Sequence, residues 1–140
     1  MSDTVLFLCP HNAAKSVIAV TYFRHLVAQA GLDLTADSAG TDPDAAVWPS
    51  VIELLHDDGL QADQRIPRHV TPEDLAGARR IISMGCDLPA TAAHSSNVEH
   101  WDDLPLASQD LPAARDAIRA KVETLVAQLR SSTGGMDAGG

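Results

Sequence analysis

The stretch Val5-Leu6-Phe7-Leu8-Cys9-Pro10-His11-Asn12-Ala13-Ala14-Lys15-Ser16 restricts the fold more than any other part of the chain. Its opening apolar run does not alternate, which is the pattern of a central parallel strand buried on both faces. The residues after Cys9 show no period until Ile18, Tyr22, Leu26 and Ala30 recur at helical spacing, with Gly31 as the stop. Strand, tight loop and helix N-terminus in that order make an anion site. The first N–H groups of a helix have no partner within it, and the aligned peptide dipoles place partial positive charge there. A cysteine in the same loop is favoured as its nucleophilic thiolate by the helix N-terminus and by the neighbouring Lys15. Nucleophile and anion cradle then coincide.

The remainder repeats the alternation of strand and helix. Residues 32–39 form a short second strand, and Pro49, Val51, Leu54, Leu55 and Gly59 outline a second helix with its stop. After a polar connection over 61–69, Thr71-Pro72-Glu73-Asp74 supplies an N-cap, an N1 proline and an acidic first turn. Residues 79–84 predict a third strand, 90–96 suit either a helical turn or an open loop, and 97–101 predict a fourth strand. Leu111-Pro112 opens a last helix with Ile118, Val122, Leu125 and Leu129 on one stripe. The segment 131–140 holds four glycines and no period, so a flexible tail follows a single domain over 1–130.

This order predicts an α/β fold: a four-stranded parallel sheet with helices on both faces and right-handed crossovers. Ligands of such sheets sit beyond the carboxyl ends of the strands, at a topological switch point. Cys9, Ser38, Cys86 and the pair Asp102 and Asp103 all fall at or just after such an end.

Charge and composition narrow the partners. A net charge of -9, from ten Lys and Arg against nineteen Asp and Glu, argues against nucleic acid and anionic membranes, so the anion site must be local. The N-terminal Met1-Ser2-Asp3-Thr4 lacks a basic leader, and the apolar run behind it is too short for a signal or a span, which predicts a cytoplasmic protein with reduced thiols. Cys9, His11, Cys86, His94 and His100 lack the paired spacing of zinc ligands, so neither a metal nor a bound cofactor is expected. Asn12, Ala13 and Ala14 are small residues where backbone N–H groups must turn toward a ligand. Ser16 is a candidate N-cap. Lys15-Ser16 without upstream glycines is not a nucleotide-binding loop.

On these residues the chain resembles a known family. CPHNAAKS followed by a helix is similar to the Cys-x5-Arg-Ser loop of the low-molecular-weight protein tyrosine phosphatases and the arsenate reductases related to them, with Lys15 in place of the arginine. Asp37-Ser38-Ala39-Gly40-Thr41 resembles the family's Ser-Ala-Gly-Thr segment, and Ser83-Met84-Gly85-Cys86 the end of its third strand in the reductases. His100-Trp101-Asp102-Asp103 and the last helix follow in the same order, so the likeness spans the chain to about residue 130.

The resemblance implies that Cys9 attacks a tetrahedral oxyanion (arsenate, phosphate or a sulfate-type ion) held by Pro10, His11, Asn12, Ala13, Ala14, Lys15 and Ser16. It implies that Asn12 bonds within the loop with support from Ser38, and that the Ser16 hydroxyl donates to the thiolate. The family's general acid precedes a proline directly; in Asp102-Asp103-Leu104-Pro105 the proline is one residue late, so Asp103 is preferred and Asp102 is the alternative. Cys86 either resolves Cys9, leaves that task to an external thiol reductant such as thioredoxin or mycothiol, or is a core thiol. Trp48 either walls the pocket or belongs to the core. The activities implied are arsenate reduction, phosphomonoester hydrolysis, or oxyanion binding without turnover, because lysine offers a point charge where arginine offers a planar fork.

Overall fold

The computed structural model describes residues 4–60, 66–85 and 97–139, with side chains as far as residue 130. Cys86 and His94 lie outside the described residues, as do the expectations placed on them and on 90–96.

The apolar run at the N-terminus forms β1 (Thr4–Leu8), and its place in the sheet explains its lack of alternation. It pairs in parallel with β2 (Thr35–Ala39) on one side and β3 (Ala78–Ser83) on the other, and β4 (Val98–His100) extends the sheet beyond β3. The strand order is β2-β1-β3-β4. The chain leaves β1 in one direction for β2 and returns past it to β3, so the switch point lies at the carboxyl ends of β1 and β3. The residue after β1 is Cys9.

Successive side chains of β1 serve opposite faces. Val5 and Phe7 join Ile82 in the larger core, against Val17, Ile18 and Phe23 of α1 (Lys15–Ala30), Val51 and Leu55 of α2 (Pro49–Asp57), and Ile118, Val122, Leu125 and Leu129 of α4 (Leu111–Gly139). Leu6 and Leu8 join Ala39, Ala78 and Ile81 in a smaller core, covered by Val70, Val98 and Leu75 of α3 (Pro72–Gly77). Phe7 anchors the larger core, meeting Phe23 edge-on at 5.5 Å and Trp101 at 6.1 Å between ring centroids. Each such fully buried side chain stabilises the fold by about 1.5–3 kcal/mol.

Helix ends follow their local signals. Gly31, at φ 68°, closes α1 with its N–H on the Ala28 carbonyl, while Leu32 N–H reaches back to Val27. That cap occupies Leu32, so β2 starts at Thr35 and not at 32. Thr71 and Asp74 form a reciprocal capping box on α3. Tyr22 of α1 donates to Asp58 at the end of α2, and Arg115 of α4 donates to both oxygens of that carboxylate at 3.0 and 2.8 Å, tying three helices together. The backbone of α4 stays helical to Gly139, past Leu129 and through the segment whose composition predicts a tail; its bonds are local and continue without an apolar stripe. Among the described residues no helix is long and apolar enough to cross a membrane.

Candidate functional site

The loop between β1 and α1 is shaped by what its carbonyls bind. Asp42 N–H donates to Pro10 O at 2.7 Å, Asp44 N–H to His11 O at 2.9 Å and Trp48 N–H to Ala13 O at 3.1 Å. The segment after β2 thus takes the carbonyls on one side. In a trans peptide the following N–H points the other way, so His11, Asn12 and Ala14 present theirs to the opposite side, toward the start of α1. Among the described residues, the N–H groups of His11, Asn12, Ala13 and Ala14 have no backbone acceptor. Pro10 has no N–H and contributes only its carbonyl. The result is a ring of donors above a helix N-terminus, suited to a multiply charged oxyanion.

Cys9 is 3% exposed at the floor of this ring. Its Sγ lies 3.0 Å from Ser16 Oγ and accepts from Ser16 N–H at 3.4 Å. The sequence suggests Ser16 as an N-cap, but the N-cap position belongs to Ala14, without a side-chain cap bond. In the first turn of the helix and fully buried, Ser16 turns its hydroxyl to the sulfur and not to the helix backbone.

Asn12 is the second partner of that hydroxyl. It is 2% exposed and sits at φ 49°, in the left-handed region that asparagine tolerates better than most residues. Its Oδ1 accepts from the backbone N–H of Arg68 at 3.0 Å, and its Nδ2 donates to Ser16 Oγ at 2.7 Å. A backbone N–H can only donate, so this partner orients the amide. Ser16 Oγ is then an acceptor toward Asn12 and toward the Cys9 thiol, and once the sulfur is ionised the serine has its own proton to give to Cys9 Sγ. A thiolate at this position would meet two donors, the Ser16 hydroxyl and the Ser16 N–H.

Gly40 lets the second strand come this close. A Cβ there would sit 2.5 Å from Pro10 O, 2.9 Å from Cys9 O and 3.1 Å from Asn12 Cβ. Its N–H and carbonyl pair with Arg68 O and Val70 N, each at 2.9 Å. Ser38, two residues earlier, is 1% exposed and lies beside Phe7 in the register.

Lys15 is the first residue of α1, partly exposed, with no carboxylate partner among the described ion pairs. His11 is turned to the rim, its Nδ1 at 3.0 Å from the Asp42 carbonyl and 3.3 Å from Asp44 Oδ1. Trp48 spans its two expected roles: it packs partly against the larger core, yet its N–H holds Ala13 and its indole donates to Asp44 at 3.4 Å. Cys9, His11 and His100 form no metal-holding group among the described residues.

The two acidic candidates diverge. Asp103 turns to α4, where Lys121 Nζ lies 3.3 Å from its Oδ1, and its side chain is 78% exposed. Asp102 accepts from Gly85 N–H at 3.3 Å. Since Met84 N–H donates to Leu8 O at 2.8 Å, Gly85 lies beside the end of β1. The alternative residue of the pair is therefore the one on the Cys9 side.

Arg68 is the residue sequence reasoning passed over, as part of a polar connection. Its guanidinium binds Asp74 at 2.8 and 3.1 Å and Asp37 at 2.8 Å. The hydrogen bonds and charge of Asp74 and Asp37 raise its pKa against the effect of burial, and Arg68 in turn holds the Asp74 carboxyl below its ordinary range. A capping pattern around Thr71 was the only nearby signal, and it concerns α3.

The profile described as low molecular weight phosphotyrosine protein phosphatase matches residues 4–133. A Halobacterium salinarum protein provisionally assigned as an arsenate reductase is 25% identical over 125 residues, 88% of this chain and 87% of its own. The Bacillus subtilis low molecular weight protein-tyrosine-phosphatase YfkJ is 34% identical over 89 residues, 60% of this chain and 57% of its own. The YfkJ crystal structure matches with a TM-score of 0.83 at 24% identity, covering 94% of this chain and 97% of that one. An arsenate reductase structure from Archaeoglobus fulgidus matches at 28% identity and a TM-score of 0.71, over 88% of this chain and 98% of its own.

Proposed function

Because the chain belongs to the low molecular weight phosphotyrosine protein phosphatase family, we propose that Cys9 attacks a tetrahedral oxyanion seated in the loop of residues 10–16, and that this oxyanion is arsenate. The observation that carries the reading is the sulfur at the floor of a ring of N–H donors, facing the Ser16 hydroxyl and N–H. The thiolate forms a bond to arsenic, an As–O bond breaks, and water leaves with a proton for which Asp102 is the better-placed donor. A second thiol then attacks Cys9 Sγ; a disulfide forms, the As–S electron pair passes to arsenic, and arsenite departs. That thiol is Cys86 or an external reductant such as thioredoxin or mycothiol, chemistry that suits the reducing cytoplasm. Lys15 neutralises the oxyanion as a point charge. Loss of water or hydroxide from arsenate asks less of an arginine fork or a general acid than ester cleavage does. The 25% identical relative, matched over 88% of this chain, carries an arsenate reductase assignment and supports the same reading.

A second reading, phosphomonoester hydrolysis through a cysteinyl phosphate, is favoured by Asp102 beside the end of β1, where a leaving alkoxide needs its proton. One preparation decides between them. Arsenite formation from arsenate with thioredoxin or a low-molecular-weight thiol, lost in Cys9→Ser, is the expected result. Phosphoester turnover without arsenite makes the protein a phosphatase, and oxyanion binding with neither activity makes it a binder. If arsenate turnover survives in Cys86→Ser with a small thiol present, the external route is the one used.

A further inference from the structure

The geometry points to Arg68 as a positioning residue that sets the reactivity of Cys9 through Asn12 and Ser16. The inference rests on the reading of Cys9 as the nucleophile.

The Arg68 side chain is gripped from two elements. Asp74, in the first turn of α3, takes Nη1 at 2.8 Å and Nη2 at 3.1 Å, while Asp37 on β2 takes Nη2 at 2.8 Å. Asp74 is itself fixed, accepting from Thr71 N–H at 2.8 Å while its own N–H donates to Thr71 Oγ1 at 3.1 Å. A planar guanidinium held by two carboxylates on separate elements has little freedom. Its main chain is held in consequence, with the carbonyl on Gly40 N–H at 2.9 Å and the N–H on Asn12 Oδ1 at 3.0 Å.

That last bond has a chemical consequence. The Asn12 amide has two orientations: with Oδ1 toward Arg68, its Nδ2 donates to Ser16 Oγ, and the serine proton is left available to the ionised Cys9 Sγ. Turned over, Oδ1 accepts that serine proton, and the sulfur loses a donor. The N–H of Arg68, which cannot accept, selects the first orientation. Loosening Arg68 therefore weakens a donor to the thiolate without touching Cys9, Asn12 or Ser16.

The test is the rate of Cys9 alkylation by iodoacetamide against pH, with each cysteine peptide read separately by mass spectrometry. Arg68→Ala is expected to move the Cys9 profile to higher pH, slowing alkylation at pH 7 about 10-fold, while the rate at high pH converges with wild type. Arg68→Lys, which can still pair with both carboxylates, restores most of the loss. In a Ser16→Ala background Arg68→Ala adds nothing, because the path runs through that hydroxyl. An Arg68→Ala profile that overlays wild type, or one slowed equally at every pH, overturns the inference. Should Arg68→Ala fail to fold, Asp37→Asn keeps the Asp74 pair and must give a smaller shift in the same direction; an unchanged profile there counts equally against it. Failure of the nucleophile reading looks different: wild-type Cys9 itself would alkylate no faster at pH 7 than a free thiol.

Discussion

Gly40→Ala tests whether the cradle depends on the close approach of the second strand to the cysteine loop. The added Cβ would meet Pro10 O at 2.5 Å and Cys9 O at 2.9 Å, both main-chain atoms. Close C···O contacts stand at about 3.3–3.6 Å, so the two segments must part by roughly 1 Å. Neither side is free to yield: Pro10 O holds Asp42 N–H at 2.7 Å, and Gly40 N–H holds Arg68 O at 2.9 Å. Overpacking of this kind costs about 1–3 kcal/mol of stability. The functional loss is larger in ratio, because a displacement of about 1 Å in reacting groups costs on the order of 100-fold in rate. Urea unfolding measures the first, and protection of Cys9 from alkylation by inorganic phosphate, together with turnover, measures the second. A variant within about 0.5 kcal/mol of wild type that phosphate protects equally well would refute the argument that Gly40 shapes the site.

Lys15→Arg replaces a point charge by a fork that can hold two oxyanion oxygens, and turnover should rise about 10-fold, the equivalent of about 1.4 kcal/mol; an unchanged rate would mean the loop is built around lysine. Asp102→Asn should slow phosphoester hydrolysis by about 100-fold or more, and Asp103→Asn should leave it within a few-fold of wild type, so equal losses would remove Asp102 from its assigned place. Tyr22, the chain's single tyrosine, is pushed up to about 12 by burial first and then by Asp58. Its folded value lies above the unfolded one, so its contribution to stability is complete below about pH 10 and is lost as pH rises toward the folded value. Absorbance at 295 nm should show no native tyrosinate at pH 10.5, and a native midpoint near 10 would contradict the helix-tying role of Tyr22.

Much of the site was legible because its signals are local. The run ending at Cys9, the small residues before Lys15 and the helical spacing after Ser16 each describe their own stretch of backbone, and β1, the loop and α1 follow them to within a residue. The capping box at Thr71 is equally local. Asp103 is preferred over Asp102 in the sequence from its distance to a proline; the contacts that separate the two in space, Gly85 N–H with Asp102 and Lys121 with Asp103, are ones that local spacing does not encode.

The residues alone indicated the class of fold and singled out Cys9 as the candidate nucleophile, since hydrophobic period, helix stops and a cysteine at a strand-to-helix turn need no distant partner to be read. Tertiary structure decided how that nucleophile is held. Asn12 meets the N–H of Arg68 across 56 residues, and Arg68 meets Asp37 across 31. Such pairs exist only once parallel strands have chosen their order and register. Before that, an arginine in a polar connection is an ordinary solvated charge; after it, a backbone donor that cannot accept fixes the Asn12 amide whose other end meets Ser16 Oγ.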